Sequence, residues 1–180
     1  MKLMSSNINK LKEYQRFGLS ELTLEKGKDL KEVASDPLTV ILYKSKEAGK
    51  NMLVEDTSLH IKGAEIGTNI RWMLDDVSSY NGTSATWEVL IGENDGEYLT
   101  IYQGLVEGTI TDRFKEPVGF GFDCYFIPEG ETLTLYELEQ IGKKDDVSAR
   151  KKAILSYLKK EYIHRIPIDD LPNWNGHYQS

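Results

Sequence analysis

Polar and apolar positions along the chain follow two periods, and their alternation predicts a mixed α/β protein. Residues 11–17 predict a helix, entered through the cap-rich Ser5-Ser6-Asn7. Residues 39–50 predict a second, with Val40, Tyr43, Lys44 and Glu47 at helical spacing. Met52-Leu53-Val54 reads as a short apolar strand that runs straight into Glu55-Asp56, and residues 70–77 predict another helix. Residues 86–91 and 99–106 flank the turn sequence Gly92-Glu93-Asn94-Asp95-Gly96, the signature of a β-hairpin. Residues 108–111 read as a third antiparallel strand, and residues 124–127 as a buried strand after Gly119-Phe120-Gly121. A last helix is predicted from Ser148 to about Tyr162, with Ala153, Ile154, Tyr157 and Leu158 as its apolar stripe. From His164 onward the chain carries two prolines, Asp169-Asp170 and Trp174, and reads as a docked extension or a frayed end.

The 180 residues suit one domain, and no repeat or Pro/Gly/Ser-rich linker divides them. With 39% apolar and 28% charged residues the composition is that of a globular protein, not a disordered one. No apolar run approaches the roughly 20 residues of a membrane span, so no membrane partner is expected. A net charge of −7 argues against duplex nucleic acid as a partner. The single cysteine, Cys124, cannot close an internal disulfide and fits a reducing, cytoplasmic setting. It lies in an apolar stretch and reads as a buried structural thiol.

Four places could carry chemistry. Ser5-Ser6-Asn7-Ile8-Asn9-Lys10 enters a helix, where amides and the helix dipole suit a phosphate, although an ordinary cap with a solvated lysine has the same appearance. Glu55-Asp56, followed by Thr57, ends an apolar strand; a carboxylate there can hold Mg²⁺ or orient a water, or simply close a turn. Glu32 could join them as a second metal ligand if the fold brings it near. Gly119-Phe120-Gly121-Phe122-Asp123 offers aromatic faces and close backbone approach to a planar ligand, or a core aromatic cluster. Lys143-Lys144 and Arg150 flank the start of the last helix near Ser148 and read otherwise as a solvated charged end. The three histidines lack metal-ligand spacing, and no P-loop or dinucleotide glycine motif is present.

Taken in order, these segments resemble the inosine triphosphate pyrophosphatase family, which hydrolyses non-standard purine nucleoside triphosphates. Ser5-Ser6-Asn7-Ile8-Asn9-Lys10 resembles its opening loop, Asp29-Leu30-Lys31-Glu32 its acidic stretch, and Lys44 its helical phosphate lysine. Val54-Glu55-Asp56-Thr57-Ser58-Leu59 and Gly119-Phe120-Gly121-Phe122-Asp123 carry the most specific likeness. Gly67-Thr68-Asn69-Ile70-Arg71-Trp72 and Lys144 with Ser148-Ala149-Arg150 complete a match over residues 5–158. Three departures stand out. Cys124 replaces a proline after the aromatic string, and Gly63-Ala64-Glu65-Ile66-Gly67 replaces a Gly-Pro-Gly turn. Ala149 takes the place of a base-site histidine, which implies a weaker preference for inosine and xanthosine triphosphates over ATP and GTP.

The resemblance implies an elongated central mixed sheet with flanking helices, two lobes around a nucleotide cleft, and a homodimer. The domain would run over residues 1–163, with 164–180 an extension of unknown role. The implied reaction is hydrolysis of a triphosphate, for example of inosine or xanthosine, to monophosphate and pyrophosphate with Mg²⁺. Glu32 and Asp56 would be metal ligands with Glu55 in reserve, and Asp56 would also serve as general base. Ser5, Ser6, Asn7, Lys10 and Lys44 would hold phosphates, with Lys44 counted also as catalytic. Phe120, Gly121 and Phe122 would line the base, while Asp123, Lys144, Ser148 and Arg150 would read its edge. Thr57 and Arg71 would be further substrate contacts. The alternatives are a nucleotide-binding sensor with little turnover, or an enzyme of the same fold with another base preference.

Overall fold

The computed structural model describes residues 1–26, 30–64 and 77–179. Its elements run β1 (Lys2–Met4), α1 (Ile8–Arg16), β2 (Thr23–Glu25), α2 (Pro37–Ala48), β3 (Met52–Ile61), β4 (Ser84–Asn94), β5 (Tyr98–Ile110), β6 (Phe126–Pro128), α3 (Leu135–Gln140), α4 (Ala149–Lys159) and β7 (His164–Pro167). They build a mixed sheet in the order β2-β1-β3-β4-β5-β6, with β7 also on β5. β1 is parallel to β2 and β3, while β5 is antiparallel to β6 and β7. The mixed α/β class inferred from sequence is the one observed. Two compact units form, each from non-contiguous stretches.

The first unit comprises Met1–Asp56, Val89–Gly104 and Arg150–Ser180. Parallel neighbours need a crossover, and α1 and α2 supply it between β1, β2 and β3. α1 starts where the Asn7 side chain accepts hydrogen bonds from the Asn9 and Lys10 amides. α2 starts at Asp36, whose carboxylate accepts from the Thr39 amide, with Pro37 in the first turn. Ile41 and Leu42 of α2 pack on Val54, Leu90, Leu99, Ile101 and Leu171 to form the core. Gly92 lets α2 come this close: a Cβ there would stand 1.9 Å from the Ser45 hydroxyl. The C-terminal stretch is docked, not frayed. β7 pairs with β5, Leu171 is in the core, and Tyr178 bridges to Val33.

The second unit comprises Thr57–Glu88 and Leu105–Ala149. Trp87 stands edge-on to Phe122 at 6.0 Å and to Phe126 at 6.5 Å, with Cys124 and Tyr125 buried beside them. α3, which the hydrophobic pattern did not suggest, is set by a reciprocal cap between Thr134 and Glu137.

Several boundaries differ from expectation. β3 runs on to Ile61, so Glu55 and Asp56 lie mid-strand and not at a strand end. The hairpin turn tightens to residues 95–97 because β4 continues through Asn94. Residues 108–110 prolong β5 instead of forming a strand of their own. Cys124 falls in a single 3-10 turn, Asp123–Tyr125, and the strand begins only at Phe126. The helix expected over residues 70–77 lies outside the described residues, except Val77, which opens a 3-10 turn. Arg71, Asp29 and the stretch from Gly67 to Trp72 lie outside them as well.

Candidate active site

Alternation along β3 sends its side chains to two environments. Leu53 and Glu55 share one face, Val54 and Asp56 the other. Glu55 is buried, its side chain 1% exposed, and its carboxylate is surrounded by donors from α1 and α4. Arg150 donates from Nε to Oε1 at 2.7 Å and from Nη2 to Oε2 at 2.9 Å. Tyr14 donates its hydroxyl at 2.7 Å, and the Lys10 ammonium lies 3.2 Å away. Arg150 also reaches Glu13 from Nη1 at 2.6 Å. Burial alone would raise the Glu55 pKa, but the Arg150 and Lys10 charges and the hydrogen bonds from Arg150 and Tyr14 outweigh it. The carboxyl is held far below its ordinary value. Burial and the Glu55 charge push the Tyr14 phenol well up, so it remains a donor.

This geometry revises two roles. Glu55, the reserve metal ligand, has its oxygens taken by three side-chain donors and serves as counter-ion to Arg150 and Lys10. Arg150, expected at the base edge, has its guanidinium committed to Glu55 and Glu13. Sequence reasoning missed Glu13 and Tyr14. Their signal was present: Lys10, Glu13 and Tyr14 stand at i, i+3 and i+4 on one face of α1.

The opposite face of β3 carries Val54 against α2 and, by alternation, half-buried Asp56. Lys44, on α2, donates to the Glu55 main-chain oxygen at 2.9 Å and to Glu32 Oε1 at 3.2 Å. The fold therefore brings Glu32, 24 positions before Asp56, to the strand that carries it. A carboxylate and a carbonyl oxygen already converge on one cation there, the Lys44 ammonium. Such hard oxygen donors, with Asp56 on the same strand face, fit Mg²⁺, which keeps waters and takes only one or two carboxylates. Among the described residues no three Asp, Glu, His or Cys side chains make a metal cage.

At the entrance to α1, Ser5 is half-buried and Ser6 exposed. Several amides are already used. Ser5 donates to the Glu25 carbonyl and Asn7 to the Ser5 hydroxyl, while Asn7 caps Asn9 and Lys10. An anion would meet the exposed edge of this loop and the Lys10 ammonium, not a row of open amides.

In the second unit the aromatic string divides. Gly119 (φ 76°) and Gly121 (φ 55°) adopt left-handed backbone that suits glycine and turn the ring of Phe120 outward, 73% exposed. Phe122 instead is buried among Trp87 and Phe126, so the two rings do not form a sandwich. Asp123 is buried and accepts from Lys144 Nζ at 2.6 Å; Glu139 lies 3.7 Å from the same ammonium. Thr57 is half-buried on β3, and Ser148 is buried just before α4. Ala149 is fully buried. Its methyl group is packed, and no open space stands at this position.

A model of the Ham1 family matches residues 1–160. The chain belongs to the Ham1 family. As a Ham1 protein it is 34% identical over 82 residues to the dITP/XTP pyrophosphatase of Saccharolobus solfataricus, a match covering 46% of this chain and 39% of that protein. It thus spans well under half the length of that relative. It is 30% identical over 183 residues to the inosine triphosphate pyrophosphatase of Batrachochytrium dendrobatidis, covering 89% of this chain and 92% of that protein. The fold is similar to the Staphylococcus aureus Ham1 protein, with a TM-score of 0.68 and 21% identity over 89% of this chain and 100% of that one. No helix among the described residues of this Ham1 chain is long and apolar enough to cross a membrane.

Proposed function

We propose that this Ham1 chain hydrolyses a non-standard purine nucleoside triphosphate, such as that of inosine or xanthosine, to the monophosphate and pyrophosphate. The carrying observation is the pair of adjacent carboxylates on β3 with opposite environments. Glu55 is locked by Arg150, Lys10 and Tyr14, while Asp56 lies on the face where Lys44 meets Glu32. The names of the relatives support the same substrate class.

In this reading Lys10, Lys44 and the loop of Ser5, Ser6 and Asn7 bind the phosphate chain, which explains how a chain of net charge −7 accepts a polyanion. Glu32 and Asp56 would hold Mg²⁺, which when bound neutralises phosphate charge and polarises a phosphoryl oxygen. The Asp56 carboxylate orients a water and accepts its proton. The water oxygen bonds to phosphorus as the bridging α–β bond breaks, and pyrophosphate leaves. Glu55 stays ionised and keeps Lys10 and Arg150 fixed. Phe120 offers a ring face to the base, and the Asp123–Lys144 pair offers polar groups to its edge. The active form is a homodimer working in the cytoplasm.

The test is pyrophosphate release with Mg²⁺ across a panel of inosine, xanthosine, adenosine, guanosine and pyrimidine triphosphates. We expect kcat/KM for inosine or xanthosine triphosphate to exceed that for ATP, and magnesium withdrawal to stop release. Binding without release across the panel would instead make the chain a nucleotide sensor.

A further inference from the structure

Among the described residues the segment carrying Glu32 belongs to no helix and makes only one isolated bridge, yet the proposed function requires its carboxylate to be held in place. Hydrogen bonds to its main chain come from beyond residue 160, where the Ham1 match ends. The Gln179 amide donates to the Glu32 carbonyl at 2.8 Å, and Gln179 Nε2 donates to the Val33 carbonyl at 3.1 Å. The Ala34 amide donates to the His177 carbonyl at 2.9 Å. Val33 and Tyr178 form an antiparallel bridge, and the Lys31 ammonium lies 5.6 Å from the centre of the Tyr178 ring.

The tail that makes these bonds is itself anchored on α2. Leu171 enters the core, Tyr43 donates its hydroxyl to the Pro172 carbonyl at 2.6 Å, and Lys46 donates to the Leu171 carbonyl at 2.9 Å. Trp174 stands edge-on to Tyr43 at 5.3 Å and donates Nε1 to the His177 carbonyl at 2.9 Å. α2 also carries Lys44, the partner of the Glu32 carboxylate. Both ends of the Glu32 contact are thus referred to one helix: Lys44 directly, and the Glu32 backbone through the strap formed by residues 171–179.

We propose that residues 171–179 are a positioning strap for Glu32, and that Gln179, through the Glu32 and Val33 carbonyls, is its principal positioning residue. This rests on the reading of Glu32 as a metal-holding carboxylate. A ligand on unpinned backbone samples many positions, and fixing it lowers the cost of closing the metal site. The strap therefore acts on metal affinity and leaves the chemical step, carried by Asp56, unchanged.

Gln179→Ala removes one of the two bonds that Gln179 makes to the segment, whereas Gln179→Pro removes both. Two measurements need no turnover: hydrogen exchange at the Ala34 amide and titration with Mn²⁺. In Gln179→Pro we expect faster Ala34 exchange, and about tenfold weaker Mn²⁺ binding with about tenfold more Mg²⁺ for half-maximal rate. Gln179→Ala should fall between, and kcat at saturating Mg²⁺ should stay within about threefold of the parent. In a Glu32→Gln background, Gln179→Pro should add nothing. Unchanged Mn²⁺ affinity in Gln179→Pro, or a full effect persisting without the Glu32 carboxylate, overturns the strap. If the chain released no pyrophosphate while exchange and Mn²⁺ affinity shifted as expected, the proposed reaction would fail and the strap would stand. Robust pyrophosphate release with unchanged exchange and Mn²⁺ affinity would uphold the reaction and overturn the strap.

Discussion

Arg150 grips Glu55 through two parallel hydrogen bonds, Nε to Oε1 at 2.7 Å and Nη2 to Oε2 at 2.9 Å, although 95 positions separate them in the chain. This bidentate pair joins the first residue of the third stretch of the first unit to the middle of β3. Removing one partner strands a buried charge, which typically costs about 3–5 kcal/mol. Arg150→Met should therefore lose stability in that range by urea unfolding, with Arg150→Lys recovering part of it. A loss below about 1 kcal/mol would show that the pair is not structurally important.

The same carboxylate makes stability depend on acid. Folded Glu55 has a pKa far below its ordinary 4.5, so the unfolded chain takes up the proton first. Its contribution is full above about pH 5 and is lost as pH falls through 4.5 towards the depressed folded value. The limiting slope for one proton is about 1.4 kcal/mol per pH unit. Comparing urea midpoints from neutral pH to pH 3, Glu55→Gln should flatten this decline. Equal slopes in parent and variant would remove Glu55 as the cause.

Asp56→Asn should keep the fold and nucleotide affinity but lower kcat about 10²-fold or more, because a general base and metal ligand is replaced by a neutral amide. Pyrophosphate release and a binding titration separate the two effects. Turnover within a few-fold of the parent would sink the assignment.

Lys44→Ala should weaken the triphosphate far more than the monophosphate, by about 1.5–3 kcal/mol for a charge-assisted contact. It also removes the ammonium between Glu32 and the Glu55 carbonyl, so the Mg²⁺ requirement should shift with it. Equal weakening of both nucleotides would place Lys44 away from the phosphate chain.

Ala149 is fully buried, so an imidazole there must displace neighbours. Ala149→His should destabilise by about 1–3 kcal/mol, the usual cost of overpacking. If it left stability unchanged and sharpened the ratio of kcat/KM for inosine triphosphate over ATP, the position would be open to the base after all.

The sequence alone determined the class of the fold, the main helices, the apolar strand leading to Glu55-Asp56, and the family, because these rest on local periodicity and on short motifs. It also supplied Lys10, Lys44, Asp56 and Glu32 as candidates, since charged residues at such positions are legible by type and spacing. Only the tertiary structure decided what neighbouring residues do. Glu55 and Asp56 look alike as a string, but a pleated strand turns them to opposite faces, one to Arg150 and Tyr14, the other to the side of α2. Phe120 and Phe122 read as a pair, yet left-handed glycines on either side of Phe120 expose it while Phe122 is packed on Trp87. The union of Gln179 with Glu32, and of Arg150 with Glu55, depends on contacts across long stretches of chain, and spacing along a sequence carries no record of such distances in space.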